Sequence, residues 1–398
     1  MRTLLALTLL LAACASTPND DPEAYAFDTK RPWTVRATEP TFVAPSLALP
    51  KEVRTMASNN NVAITYHDGR LFMAFRSSNL HFASEHTRMF IVSSGDDGKT
   101  FRHEHTVALG SDVREPLFVS FGSKLRFFFF QAGTNPLAFE PKAIMRTEWM
   151  APGHFSDNVA ISGPEEVPWD VKVRKGRVWM TSYKGNHYQG GVSSLDVSFK
   201  VSDDGENFVP VNAERPVVYH GGVSEVAFEF DRGGNLWGVT RNEDGDPSGF
   251  GAHVCFAPAA ALAEWECSEK SFPERYDSPR MFRHGDEIFL VARRDPEGVY
   301  DVSQSEVFEN RRIQNLLGYS SRKKRTALYL LNQETRTIEH VFDLPGVGDT
   351  CFPSIHRLDA HRFLLANYTS PLDSDPPWFE GQTSERGTQI YLTTLVFE

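Results

Sequence analysis

Hydrophobic and polar positions in this chain fall into six copies of one phrase. The copies are HDGRLFMAFR (67–76), FGSKLRFFFFQ (121–131), KGRVWMTSYK (175–184), RGGNLWGVTR (232–241), HGDEIFLVARR (284–294) and LDAHRFLLANY (358–368). Each is a turn rich in Gly or Asp, then an apolar strand, then a polar or aromatic residue where the strand runs out. A second strand precedes each turn: VAITY, EPLFVSF, DVKVR, EVAFEF, SPRMFR and CFPSIHRL. The terminal residues Arg76, Gln131, Tyr183, Arg241 and Arg293 are spaced by 55, 52, 58 and 52, and Tyr368 follows after 75. Several strands per period of about fifty residues predict an all-β fold, a six-bladed β-propeller of four-stranded antiparallel blades. The blades are expected at about 58–102, 112–165, 167–212, 222–270, 275–343 and 348–398, inside a propeller domain spanning 34–398. A strand near 35–47 is expected to close blade six. Because every copy carries its variable residue at the same point, those six residues should meet at one mouth of a central channel.

Two turns carry a further motif. Ser94-x-Asp96-x-Gly98-x-x-Phe101 closes blade one, and a degenerate copy, Val201-x-Asp203-x-Gly205-x-x-Phe208, closes blade three. The Asp side chain can accept turn N–H groups, Gly supplies a positive φ, and the aromatic plugs the blade. Both motifs read as scaffold, at the blade periphery. Residues 296–322 form a long, polar, partly helical insertion and 366–388 a second one, both expected to overhang a binding face. The stretches 242–246 and 322–325 read as solvated turns.

Composition narrows the function. Of 398 residues 40% are hydrophobic, ample for a large core, and the formal net charge is −11. The lack of a long basic run argues against nucleic acid. The thirteen His show no metal-ligand spacing, no phosphate-cradling Gly loop is present, and no cofactor is implied. Near the N-terminus, Arg2 is followed by LLALTLLLAACAS, too short to span a bilayer as a permanent helix and therefore a signal segment over 1–13. Its ending, Leu11-Ala12-Ala13-Cys14, resembles the bacterial lipobox. That resemblance implies lipidation of Cys14, a membrane-anchored lipoprotein of the bacterial envelope, and outer-membrane sorting, since no acidic residue directly follows Cys14. Residues 14–33 read as a polar tether. Cys255 and Cys267 lie on two short strands where a disulfide or two separate thiols are equally compatible with the spacing, and Cys351 is left as a core thiol.

Charges crowd the predicted channel entrance: Asn60 or Asn61, Arg114-Glu115-Pro116, Trp169-Asp170, Glu225, Asp277-Ser278-Pro279-Arg280 and Asp349, with Arg76, Tyr183, Arg241, Arg293 and Tyr368 from the second strands. Arg binds carboxylates in a bidentate manner, and aromatic rings stack on sugars, so a glycan or other small anionic ligand is expected, bound by a monomer. The alternative is a set of charges that neutralise one another.

From about residue 55 the chain resembles the sialidase-type propellers, and its Ser94 and Val201 turns resemble their Asp-box. The best local match is Glu225…Arg241 across the DRGGNLW turn. The resemblance implies glycoside hydrolysis, with Glu225 as the carboxylate that assists a nucleophilic Tyr and Arg241 beside it in a carboxylate-binding triad. Arg293, Arg280 and Arg76 compete for the other triad places. The loop SSNLHFASEHT stands where the family carries its acid/base, with Glu85 as its carboxylate and His81 and His86 as alternatives. The family's first-blade Arg is replaced by Asn60-Asn61 and its nucleophile position reads Phe352, so Tyr368 or Tyr183 would have to reach in from a second strand. A non-catalytic propeller binding a glycan or protein is the rival reading. A third follows from Arg114-Glu115-Pro116, which is similar to the Arg-Asp-Pro step of furanosidase-type propellers, with Glu115 and Asp170 as paired carboxylates.

Overall fold

The computed structural model describes residues 18–25, 27, 33–189 and 194–398; Cys14 lies outside them. Among the described residues six antiparallel sheets of four or five strands follow one another along the chain, with a separate two-stranded sheet in blade four. Their inner strands are Ser58–His67, Val113–Phe121, Val167–Arg174, Val226–Phe230, Asp277–His284 and Ser354–Arg357. Successive inner strands are neighbours, and the sixth returns to the first, which closes the ring of a six-bladed propeller. In blade six the strand Gln389–Phe397 takes Val35–Ala37 and Thr41–Ala44 as its outer partners, so the N-terminal side of the chain closes the ring.

The core lies between blades rather than within one. Between blades one and six, Ile64, Met73, Phe75 and Phe90 pack with Leu364, Ala366, Ile390 and Leu392. Between blades five and six, Phe282, Phe289 and Val291 pack with Phe363, Leu365 and Leu395. Phe72, Phe127, Phe128 and Phe289 are fully buried, and each such side chain contributes about 1.5–3 kcal/mol relative to exposure. Period-two strands present apolar residues to both neighbours, which is why most inner- and second-strand positions are buried.

In blade four the third and fourth strands pair Cys255 directly with Cys267, and the two form a disulfide. Cys351 is a buried free thiol. The turn of blade one is built as the motif requires: Ser94 Oγ donates to Asp96 (2.7 Å), Asp96 accepts the Thr100 N–H (2.9 Å), and Ser94 Oγ accepts the N–H of Gly98 (2.8 Å). Gly98 has φ +86° and Phe101 is buried. Hydrogen bonds from Ser94 and Thr100 lower the Asp96 carboxyl to about 2. In blade three the assignment shifts by one residue. The acceptor is Asp204, which takes the N–H groups of Glu206 (2.7 Å) and Asn207 (2.8 Å) and the Ser202 hydroxyl (2.8 Å). Asp203 points outward to Arg177. This turn holds one residue fewer between Ser and Gly than that of blade one, so aligning on Gly205 misplaced the Asp.

Three other readings change. Segment Asn242–Asp246 is a fully buried hairpin strand paired with Gly249–Gly251, not a solvated turn. Lys324 is wholly buried at the end of helix α1 (Phe308–Ser320), donating to the carbonyl of Tyr319 (2.6 Å). Pro18–Tyr25, expected as free tether, is packed on the propeller instead.

Asp204→Ala is expected to lower the melting temperature by roughly 1–3 °C, through lost turn hydrogen bonds, while Asp203→Ala leaves it unchanged. Thermal denaturation of both variants by circular dichroism checks the one-residue reassignment.

Candidate functional site

Four of the six inner strands are interrupted near their starts. The pairing register slips after Asn60, after Arg114, after Pro168 and after Asp277. Asn61 (φ 44°), Glu115 (φ 51°), Ser278 (φ 50°) and Cys351 (φ 78°) occupy the left-handed region there, at about 1–2 kcal/mol each for a residue with a Cβ. Bulges of this kind re-aim side chains beside binding sites. Here they surround the channel entrance at corresponding points of the ring.

The channel holds two cavities. The front one, about 470 Å³, is lined at its base by Asn61, Glu115, Glu225, Ser278 and Phe352, with Tyr183, Arg241, Arg293 and Tyr368 from the second strands. The rear one, about 320 Å³, is lined by Asp170, Lys172, Arg280 and His356. Between them lies a plug: the fully buried Trp169 packs edge-on against Phe352 (5.4 Å between ring centres), and the Arg280 guanidinium sits 5.0 Å from Trp169 and 5.2 Å from Phe352.

This partition sorts the expected site residues. Glu115, Glu225, Tyr183, Arg241, Arg293 and Tyr368 come together in the front cavity, and Arg114 reaches its wall. Asp170 and Arg280 do not join them. Asp170 binds Lys172 (3.0 Å), and Arg280 donates to the Trp169 carbonyl (2.6 Å), both on the rear side of the plug. Gln131 donates to Ser111 instead of lining the cavity. Glu85 points away: its side chain is 67% exposed and pairs with His86.

Arg76 and Arg114 act as ties rather than ligand clamps. Asp112, fully buried, accepts from Arg76 (2.9 Å) and Arg114 (2.5 Å). The two guanidiniums then donate to consecutive carbonyls of the next loop, Arg114 to His81 (2.7 Å) and Arg76 to Phe82 (2.8 Å). Burial pushes the Asp112 carboxyl up, but Arg114 and Arg76 more than offset it. The loop so held delivers His81, not Glu85, to the cavity. Asp349 accepts His81 Nδ1 (2.7 Å) and the Tyr368 hydroxyl (2.9 Å). An ionised Asp only accepts, so the His81 proton sits on Nδ1 and Nε2 remains an acceptor. Burial lowers the His81 pKa, against the opposing pull of Asp349, and leaves the ring neutral.

The remaining arginines are also satisfied from within. Arg241 meets Glu225 (2.9 Å) and Glu243 (3.3 Å). Arg293 meets Asp277 (2.8 Å) and donates to the carbonyls of Thr350 (2.6 Å) and Cys351 (3.1 Å). Asp277 is fully buried and held low despite burial by Arg275 and Arg293; it supports Arg293 from below rather than binding a ligand. Among the described lining residues, five acids (Asp112, Glu115, Glu140, Glu225, Glu243) face three arginines (Arg114, Arg241, Arg293). The arginines that would hold an anionic ligand are thus already paired within the protein.

Glu115 is the exception. Its contact is a neutral one, from Asn61 Nδ2 (3.1 Å). Burial, then the nearby Glu225, push its carboxyl up to about 8. Glu225 is raised as well: burial, with Asp277 and Glu243 nearby, outweighs Arg241 and the N–H of Ser278 (2.6 Å), which favour its charge.

Several lining residues had no sequence signal. Tyr188 donates to Glu243 (2.6 Å). His187 bridges Asp244 (2.9 Å) and Arg241 (3.2 Å). The insertions contribute as expected: Leu316 and Ser320 of α1, and Trp378, Phe379 and Gln382 of helix α2 (Trp378–Thr383), form one wall. The Trp378 ring lies 4.7 Å from the Arg293 guanidinium. Among the described residues no group of His, Cys, Asp and Glu is arranged to hold a metal ion.

No known family profile matches the chain, and no curated protein matches it in sequence. Solved structures do match. A protein of unknown function from Dyadobacter fermentans aligns with TM-score 0.61 at 14% identity, covering 92% of this chain and 99% of that one. Trypanosoma rangeli sialidase, in complex with the inhibitor DANA, aligns with TM-score 0.58 at 13% identity over 90% of this chain. The Penicillium chrysogenum α-L-arabinanase complexed with arabinobiose aligns with TM-score 0.51 at 12% identity, covering 90% and 98%. The fold is that of the sialidase-like propellers. The chain spans about three-fifths of the length of the sialidase chains it matches.

Asp112→Ala is expected to destabilise the protein by about 3–5 kcal/mol, because Arg76 is left buried without its counter-charge. Urea denaturation measures this.

Proposed function

We propose that the protein binds the end of a neutral glycan in the front cavity and hydrolyses its glycosidic bond, with Glu115 as proton donor and Glu225 as the ionised carboxylate. One observation carries the reading: two carboxylates line one cavity in environments that separate their protonation. Glu115, enclosed and without a bonded cation, holds its proton at neutral pH. Glu225, held by Arg241 (2.9 Å) and a backbone N–H, has the partners that favour its charged form. Pairs of this kind supply the acid and the base or nucleophile of glycosidic cleavage. The aromatic lining suits sugar faces, and the excess of acids over arginines disfavours a sialic acid. Phe352 occupies the sialidase nucleophile position, and Tyr368 gives its hydroxyl proton to Asp349, so a tyrosine mechanism has no support. Asp170, behind the plug, is not the partner of Glu115.

The reading extends to the envelope. The Ser94/Asp96 and Ser202/Asp204 turns behave as Asp-boxes, and the lipobox ending at Cys14 anchors a monomeric lipoprotein to the membrane.

Neutral glycosides, arabinobiose among them, are expected to be bound and cleaved in preference to sialyllactose. Glu115→Gln should cut kcat about 10²–10⁴-fold on substrates with a poor leaving group and spare 4-nitrophenyl glycosides, whose leaving group needs no acid. Glu225→Gln should lose both. Wild-type kcat/KM should fall as pH rises through about 8, where Glu115 ionises. The same raised value makes a stability contribution that is complete below the ordinary Glu range and lost as pH rises toward 8. Glu115→Gln should therefore flatten the decline of melting temperature between pH 5 and 9. Binding of neutral glycans with no turnover on any of them would make the protein a lectin-like propeller instead.

A further inference from the structure

The rear mouth of the channel is occupied by the chain's own acidic N-terminal arm. Pro18, Asn19, Asp20 and Asp21 line the rear cavity, and Pro22–Tyr25 form a single 3₁₀ turn across it. Asp20 pairs with Arg174 of blade three (3.2 Å) and accepts the Arg357 N–H of blade six (3.0 Å). Glu23 pairs with Arg283 of blade five (2.5 Å). The Arg357 guanidinium lies 5.4 Å from the Tyr25 ring, and Phe27 packs against His284 (5.2 Å) and His361 (4.9 Å). Arg174 and Arg357 end their inner strands and Arg283 lies one residue from the end of its own, on the side opposite the front cavity. Two acids thus meet a rim of three nearly buried arginines drawn from three blades. Burial opposes ionisation of Asp20, but Arg174 and His356 hold its carboxyl below the usual range.

Docking changes what the tether can do. From Cys14 to Trp33 a free chain of nineteen residues could span roughly 65 Å and leave the propeller to tumble. With the arm seated, four residue steps separate Cys14 from Pro18, a reach of at most about 14 Å. We propose that the acidic arm 18–27, seated in the basic rear mouth, holds the rear face of the propeller against the membrane that carries Cys14 and so directs the front cavity away from it. This rests on the lipid-anchor reading given above, and flotation of the full chain with vesicles judges that reading by itself.

The test uses the lipidated full chain in vesicles containing nitroxide-labelled lipid. A fluorophore is attached either at Ser123→Cys, in the exposed turn between the first two strands of blade two, or at Leu137→Cys, 93% exposed at the front rim. The Ser123 probe should lose most of its fluorescence, and the Leu137 probe should keep its vesicle-free intensity. In Asp20→Lys/Glu23→Lys the two probes should be quenched alike. Equal quenching in the wild-type background overturns the orientation. Hydrogen exchange on soluble Cys14→Ser protein judges the docking independently of any membrane: the amides of residues 20, 21 and 23–25 should be protected and should exchange at least about tenfold faster in the double Lys variant. Unprotected amides in the Cys14→Ser protein overturn the docked arm. Protein that fails to float removes the anchor, and the orientation with it, whatever exchange shows.

Discussion

The structure depends on how charge is accommodated around a closed channel. Ring closure brings six strand starts, many of them acidic, into the interior of a β-protein, where an unpaired charge costs several kcal/mol. Most buried acids there are answered by a basic side chain of their own or a neighbouring blade. Asp112 takes Arg76 and Arg114, Asp277 takes Arg275 and Arg293, Glu225 takes Arg241, and Asp349 takes His81. Two of these pairs, Arg76–Asp112 and His81–Asp349, join neighbouring blades, so satisfying those charges also ties the ring together. Pairing of this kind is a poor source of net stability, since desolvation cancels much of the attraction, but breaking one partner leaves the other stranded. What it secures is position.

Position is what the loops inherit. The loop after the second strand of blade one has no regular structure of its own around His81, yet two guanidiniums bind consecutive carbonyls of it. An Arg that looks like a ligand clamp by its place in the repeat is thereby spent on scaffolding, and the cavity's residual character is set by the acids left over. The same reasoning explains the aromatic wall. Arg275 lies 4.6 Å from Tyr300 and 3.9 Å from Tyr319, so the insertion carrying α1 is fastened to the ring by a cation already committed to Asp277 and Glu243.

The repeat made the blades legible, because a period near fifty residues with alternating strands survives the loss of any single motif. Partners and faces were harder to read. Asp170 and Glu115 hold similar places in successive blades, but Glu115 lies within its bulge whereas Asp170 follows Trp169, and one residue along a strand reverses the side chain's direction. The plug then puts the two carboxylates in different cavities. The same one-residue sensitivity moved the turn acceptor from Asp203 to Asp204. Arg76 was placed correctly at its strand end, but nothing in a sequence says that Asp112, thirty-six positions away, already occupies it. His81 was visible only as a residue in the right loop; its role came from Asp349, which lies on the far side of the ring closure.

Against this background of pairing, Glu115 departs from the pattern in two ways at once. It adopts a left-handed φ that a residue with a Cβ resists, and it sits beside Glu225 with an amide, not a cation, for company. A scaffold acid would be relieved by moving Arg114 from Asp112 to its sequence neighbour, or by relaxing the bulge. The fold does neither. Strain that surrounding structure maintains, at a carboxyl kept protonated in a cavity, is the signature of a group held for chemistry rather than for packing. In the proposed glycosidic cleavage that is the condition a proton donor requires: a carboxyl that still holds its proton at neutral pH, beside one whose partners are a guanidinium and a backbone N–H.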